Sequence, residues 1–241
     1  TPFDIDSVNL LEKLDVKGYK VSSMDLINIP LIKKIAATKK PIILSTGMAT
    51  IGEIEEAVNT VLKEGNENIA VLHCVSSYPC DIEHSNLKRI KLIQNTFNVI
   101  PGYSDHTIEI ETPSLAITSG AKVIEKHVTL NKGLDGPDHN FSLEPEEMKT
   151  MIDLCNSAHK AMNGQGFLPS DAELSAKANL KRSIYAKGDL SRGGVMTLAN
   201  ISIKSPGDGI PAKYYNLILG KRIIQDVLDD HPLKWEHFFN E

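Results

Sequence analysis

The sequence predicts an α/β fold: a β/α barrel, incomplete within this chain, followed by a small irregular β domain. Three observations carry that reading. Short β-prone runs alternate with amphipathic segments from Thr1 to Met162, which argues for parallel strands joined by crossover helices. Polar residues gather directly after those runs rather than scattering, as they do where a barrel presents its site at the C-terminal strand ends. After Gly166 the pattern changes to short segments broken by Gly and Pro, as in a chain of tight turns. A doubly wound open sheet would also place ligands at the C-terminal strand ends. Its Gly-rich phosphate-binding fingerprint, however, is missing here.

The elements follow in order. Thr1–Phe3 reads as the tail of a strand, and Ile5–Leu14 has helical periodicity. Strands are expected at Tyr19–Ser22, Pro41–Ser45, Ile69–Cys74, Val99–Ser104 and Val123–His127. Helices are expected at Pro30–Ala37, Ile51–Glu64, Leu87–Phe97, Ile110–Ser119 and Pro145–Met162. Pro30 and Pro145 suit a first turn, where the missing N–H costs nothing, and Gly65 and Gly120 stand where helices should stop. Leu168–Leu180 reads as a polar, helical connector. Beyond it, Gly188-Asp189, Arg192-Gly193-Gly194 and Ser205-Pro206-Gly207-Asp208-Gly209 punctuate a domain of about 60 residues, near the lower limit for a self-sufficient core. Such a domain is expected to lean on a neighbour. The organisation is therefore a partial barrel over 1–166, a connector over 167–180 and a small domain over 181–241. Five strands and a tail do not close an eight-stranded barrel, and an open one leaves edges and an apolar interior wet. A segment preceding Thr1, rather than a second chain, is the expected completion.

Composition narrows the function classes. The 241 residues are 41% hydrophobic and 24% charged, with 26 Lys and Arg against 31 Asp and Glu, a net charge of −5. Neither a nucleic-acid nor a membrane surface is indicated. No apolar run is long enough to span a bilayer, and no basic-then-apolar leader opens the sequence. Cys74, Cys80 and Cys155 form no paired framework, which fits a reducing compartment and a cytoplasmic location.

Strand parity sorts the polar clusters, because alternate residues share a face. Glu125, His127 and Thr129 fall together, as do Ser104 and His106. If that face is the barrel mouth, His106 and His127 project from adjacent strands and could hold one cation. Neutral imidazoles suit first-row divalent metals, and two ligands leave positions for water and substrate. Either histidine alone reads as a buried residue satisfied by hydrogen bonds; the pair, with Glu125 beside it, favours the metal. With Cys74, Ser76 and Tyr78 facing inward, His73 faces the helices, and Asp105 and Lys126 fall on the outer face, where ion pairing is expected. Lys20 with the hydroxyls of Ser22, Ser23, Ser45, Thr46 and Ser104 would hold a phosphate through charge-assisted hydrogen bonds, although such hydroxyls singly are common helix caps. Asp135-Gly136-Pro137-Asp138-His139 reads as a turn from which Asp138 could reach a sugar hydroxyl.

Taken in order, Lys20-Val21-Ser22-Ser23, Leu44-Ser45-Thr46-Gly47-Met48, Leu72-His73-Cys74 with Tyr78-Pro79, Gly102-Tyr103-Ser104-Asp105-His106-Thr107, Glu125-Lys126-His127 and Gly136-Pro137-Asp138 resemble successive motifs of the sialic acid synthases. The C-terminal part resembles that family's antifreeze-like (SAF) domain. The resemblance implies a (β/α)8 TIM barrel lacking its first two to three strands in this chain, with Thr1 at the end of the third. It implies a domain-swapped homodimer in which two chains lay their antifreeze-like domains over each other's sites. The implied reaction condenses phosphoenolpyruvate with N-acetylmannosamine or a related N-acetylated amino sugar and releases phosphate. The implied cofactor is a divalent metal ion, Mn2+ with Mg2+ or Co2+ as alternatives.

Carried over residue by residue, His106 and His127 would bind the metal. Lys20, Ser23, Ser45 and Ser104, with Thr1, would hold the phosphate, while Tyr78 and Asp138 would contact the sugar. Glu125 would sit beside the reacting carbons, making it and Lys20 the expected catalytic groups. Ser76 stands where many members have Asn, and Ser205 where many have an Arg that helps recognise the sugar's acyl group. An N,N'-diacetyllegionaminate synthase, acting on a di-acetamido sugar, is therefore an alternative. Two further readings stay open: a truncated, non-catalytic sugar-binding or dimerising remnant, and a barrel aldolase using Lys20 as a Schiff base.

Overall fold

Several helices of the first unit start at side chains that satisfy the free N–H groups of a first turn. The computed structural model describes residues 1–164 and 166–239. In α1 (Ile5–Lys13) the cap is Asp4, and in α2 (Ile29–Ala36) it is Asn28, with Pro30 in the first turn. In α3 (Ile51–Lys63) Thr50 and Glu53 form a reciprocal capping box. That helix stops at Glu64, and Gly65 follows with φ +69, a conformation that favours glycine.

Between these helices run β1 (Tyr19–Val21), β2 (Ile42–Ser45), β3 (Ile69–Cys74), β4 (Ile100–Asp105) and β5 (Val123–Lys126). They form one five-stranded sheet in the order β1-β2-β3-β4-β5 with every neighbour parallel. The remaining helices are α4 (Lys88–Phe97), α5 (Thr112–Thr118) and α6 (Pro145–Met162). This is half of a barrel wall, with helices on the outside. The expected strand tail at Thr1–Phe3 is not a strand: these residues lie outside the sheet ladder, and without ladder bonds a strand has no partner for its backbone groups.

Register divides the sheet into two faces. Outward side chains, among them Tyr19, Val21, Ile42, Leu44, Ile69 and Val71, pack against Leu31, Ile32 and Ile35 of α2 and Ile54, Val58 and Val61 of α3. Tyr103 joins Ile90 and Ala116 in a smaller cluster. Inward residues stack in rows across the sheet: Ser45 with Leu72, Gly102 and Val123, and above them Cys74 with Ser104 and Glu125. The inner row turns polar at the C-terminal end, where the site lies.

The chain divides into Thr1–Gly164 and Gln165–Glu241. In the second unit, α7 (Asp171–Leu180) starts at a Ser170–Glu173 capping box. It is followed by the antiparallel pair β6 (Ser183–Ala186) and β7 (Ile201–Lys204). Ile184, Leu190, Met196, Ile210, Ile223 and Leu233 are among the residues of a separate hydrophobic core. Tyr185 donates to Asp208 at 2.7 Å and pins the loop that carries Ser205. Among the described residues no helix is long and apolar enough to cross a membrane.

Candidate active site

The C-terminal ends of the five strands, with the loops that follow them, line a cavity of about 660 Å³. Lys20 and Ser23 reach it from the end of β1, Ser45 from β2, and Ser76 and Tyr78 from the loop after β3. Ser104 comes from β4 and Glu125 from β5, His106 and His127 directly follow those two strands, and Asp138 and Thr1 complete the rim. Apart from Thr46, the first-unit residues singled out for phosphate, metal and sugar thus meet in one cavity. Ser205 belongs to the second unit, where its hydroxyl lies 3.4 Å from the Leu180 carbonyl.

Charges and hydroxyls interlock on one side. Glu125 Oε1 accepts from Ser104 Oγ at 2.7 Å and lies 3.4 Å from Lys20 Nζ. Ser23 Oγ accepts from the Gly47 N–H at 3.0 Å and donates to Cys74 Sγ at 3.4 Å. A Cβ on Gly47 would fall 2.1 Å from Ser76 Oγ and 2.8 Å from Ser23 Oγ, so only glycine lets the backbone approach this closely. Ser45 Oγ is buried and has no hydrogen-bond partner among the described residues. Thr46, read from the sequence as another phosphate hydroxyl, is a correction. It faces away, donates to the Leu72 carbonyl at 2.9 Å and lines a separate groove with Ile54 and Phe97. Alternation at the strand end turns it out as it turns Ser45 in.

The other side of the cavity is aromatic. The Tyr78 ring stands 4.2 Å from that of His106, and His106 and His127 are 5.3 Å apart and edge-on. Phe141 backs His127 at 5.1 Å. Burial pushes the Tyr78 phenol up, so it is neutral around pH 7. Burial, and then repulsion from His106, holds the His127 imidazole below its ordinary value. For His106, burial also opposes charge, but the Cys74 sulfur and the Val75 carbonyl outweigh it and lift the pKa. Asp138 Oδ2 lies 3.6 Å from His127 Nδ1, a charge contact longer than a hydrogen bond.

Two imidazoles face the cavity, the ligand type that first-row divalent cations take. His106 Nδ1 lies 2.8 Å from the Val75 carbonyl, which fixes that nitrogen as the N–H donor, so that in the neutral ring Nε2 carries the lone pair. Metal-binding histidines are oriented in this way by a carbonyl behind them. Among the described residues no group of three or more His, Cys, Asp or Glu could hold a metal ion, so the two imidazoles are the protein donors a cation would meet. The pair would thus leave positions for water and substrate. Sequence reasoning missed Phe3, Met24 and Met48, which also line the cavity. Their only signal is position: Met24 directly follows Ser23, and Met48 directly follows Gly47.

The sequence and the fold have counterparts among known proteins. The NeuB family model matches residues 1–166, and the SAF domain model matches residues 181–238. The N,N'-diacetyllegionaminic acid synthase of Campylobacter jejuni is 41% identical over 237 residues, 97% of this chain and 71% of its own length. The N-acetylneuraminic acid (sialic acid) synthetase of Leptospira borgpetersenii, solved with citrate, is 36% identical with a TM-score of 0.69, over 72% of this chain and 61% of that one. The spore coat polysaccharide biosynthesis protein E of Chromobacterium violaceum superimposes with a TM-score of 0.82 at 27% identity, over 99% of this chain and 72% of that one. From its strand-end motifs to its C-terminal SAF domain, the chain belongs to the NeuB family.

Proposed function

We propose that this site condenses phosphoenolpyruvate with an acetamido sugar to give a nonulosonic acid and inorganic phosphate. The Ser45 hydroxyl carries the reading. A buried hydroxyl without a partner costs roughly 1–3 kcal/mol, and Ser45 lines the same cavity as Lys20, Ser23 and Ser104. A phosphate oxygen in that cradle would satisfy Ser45, while the Lys20 ammonium supplies the charge-assisted bond. Held there, phosphoenolpyruvate presents C3 to the sugar, an orientation effect.

His106 and His127 would hold a divalent cation, Mn2+ in the first instance and Mg2+ or Co2+ as alternatives. When bound, that ion supplies Lewis acidity to the aldehyde oxygen of the open-chain sugar. Tyr78, Ser76 and Asp138 orient the sugar. C3 of phosphoenolpyruvate attacks the aldehyde carbon, water adds at C2, and phosphate leaves with cleavage of the C2–O bond. Glu125, already hydrogen-bonded to Ser104 and beside Lys20, takes one proton of that water and returns it to the alkoxide oxygen formed from the aldehyde, and the water's second proton leaves with the phosphate.

The sugar we favour is a di-acetamido one. The Campylobacter relative is an N,N'-diacetyllegionaminic acid synthase, and Ser205 offers a short hydroxyl where an Arg would offer a fixed fork of donors to an acyl oxygen. A homodimer exchanging SAF domains belongs to the same reading.

The test is phosphate release by the full-length protein from phosphoenolpyruvate with N-acetylmannosamine and with its di-acetamido relative, in the presence of Mn2+. Turnover is expected with both and faster with the second. Ser45→Ala should raise the KM for phosphoenolpyruvate about tenfold, for ~1.4 kcal/mol of lost binding, and leave the KM for sugar unchanged. Absence of phosphate release with either sugar would sink the proposal.

A further inference from the structure

Asp105 and Lys126 form the last rung of the β4–β5 ladder. Each immediately precedes one of the two histidines at the cavity. They point the other way, and their side chains are 0% and 2% exposed. Lys126 Nζ donates to Asp105 Oδ2 at 2.7 Å and also to the Thr107 carbonyl. Asp105 accepts from the Thr107 N–H at 2.9 Å and from the Thr107 hydroxyl at 3.2 Å. One ammonium therefore grips the residue before His106 and the residue after it.

Beyond this rung the two strands cease to bond each other. The His106 carbonyl instead accepts from the Cys80 N–H at 2.8 Å, and the His127 carbonyl from the Leu143 N–H at 3.0 Å. The side-chain tie from Lys126 to Thr107 is thus what spans the gap where the two strand ends part. A buried ion pair adds little net stability over apolar residues of the same volume, while its directed bonds specify geometry.

We infer that the Asp105–Lys126–Thr107 cluster is a positioning device: it sets the spacing and orientation of His106 and His127 from behind the sheet. The inference rests on the reading of those histidines as cation ligands. Neither Asp105 nor Lys126 touches the cavity, so their effect on a bound ion would be transmitted through the strand ends alone.

Co2+ is the probe, titrated into the intact protein and followed by its visible absorption. Replacing the pair together, Asp105→Leu with Lys126→Met, removes the tie without leaving one charge buried alone. This variant is expected to melt close to wild type and to bind Co2+ on the order of 10–100-fold more weakly, with an altered band shape. Lys126→Arg keeps the charge but re-aims the donors, and should weaken binding by a smaller factor even if the double variant fails to fold. Unchanged Co2+ affinity and spectrum in whichever of these variants fold would overturn the positioning role alone. A wild type that does not bind Co2+, or a His106→Ala variant that binds it as wild type does, would overturn the ligand reading and this inference with it.

Discussion

At the end of β3 two neighbouring side chains serve opposite sides of the sheet. Cys74 lines the cavity, while His73 is buried against the helices, its Nε2 donating to the Ser85 carbonyl at 2.7 Å. Burial holds the His73 imidazole below its ordinary pKa, so the folded protein keeps it neutral where the unfolded chain would protonate it. The unfolded state then binds more protons, and stability rises with pH across that window. Stability should be full above the unfolded value of about 6.5 and decline as pH falls below it. Melting temperatures from about pH 7.5 to pH 5 are expected to fall, and His73→Gln should flatten part of that slope. An equal slope in the variant would mean that other groups carry it. Alternation alone identified His73 as structural and His106 and His127 as facing the cavity. The same rule applied to Ser45-Thr46 would have excluded Thr46, whose hydroxyl was read by chemistry instead of by direction. The Lys126 bond to the Thr107 carbonyl was not legible, because a backbone acceptor leaves no mark in the sequence.

Elements were most readable where both ends carry a signal. Ile69–Cys74 and Pro145–Met162 have the same bounds in the fold as in the sequence reading, the first as a run apolar except at His73 and the second from its N-terminal Pro. The other strands and helices of the first unit shift by one or two residues, as fraying ends do. Within β4, Gly102 is set by its neighbours. A Cβ there would lie 2.2 Å from Leu72 Cδ2 and 2.7 Å from the Val123 carbonyl. Leu72 can yield only by leaving its place, and the Val123 backbone cannot yield without parting β4 from β5. Gly102→Ala is therefore expected to destabilise the protein by roughly 1–3 kcal/mol. Urea unfolding would show this as a lowered midpoint at unchanged slope. A midpoint equal to wild type would mean that the strands separate freely.

At the scale of the molecule, each unit closes a core of its own. The second unit ties itself together by antiparallel bridges, such as Leu190 with Val227 and Tyr185 with Pro232, in addition to β6 and β7. Against the expectation from size that this domain leans on a neighbour, its own core and bridges predict that residues 181–239 expressed alone fold cooperatively, with a dispersed amide NMR spectrum; a collapsed spectrum would show that this core needs a neighbour. The change of pattern after Gly166 was legible because Gly and Pro punctuate the second unit so densely. In the first unit, the division of the sheet has a consequence for substitution. The outer face, with Val21, Leu44, Val71 and Tyr103, carries the packing, whereas the inner C-terminal rim, with Ser45, Ser76 and Tyr78, carries little of it. Ser45, buried with no hydrogen-bond partner among the described residues, even weighs against stability. Substitutions at the rim should therefore cost folding little while the packed outer face holds the scaffold unchanged.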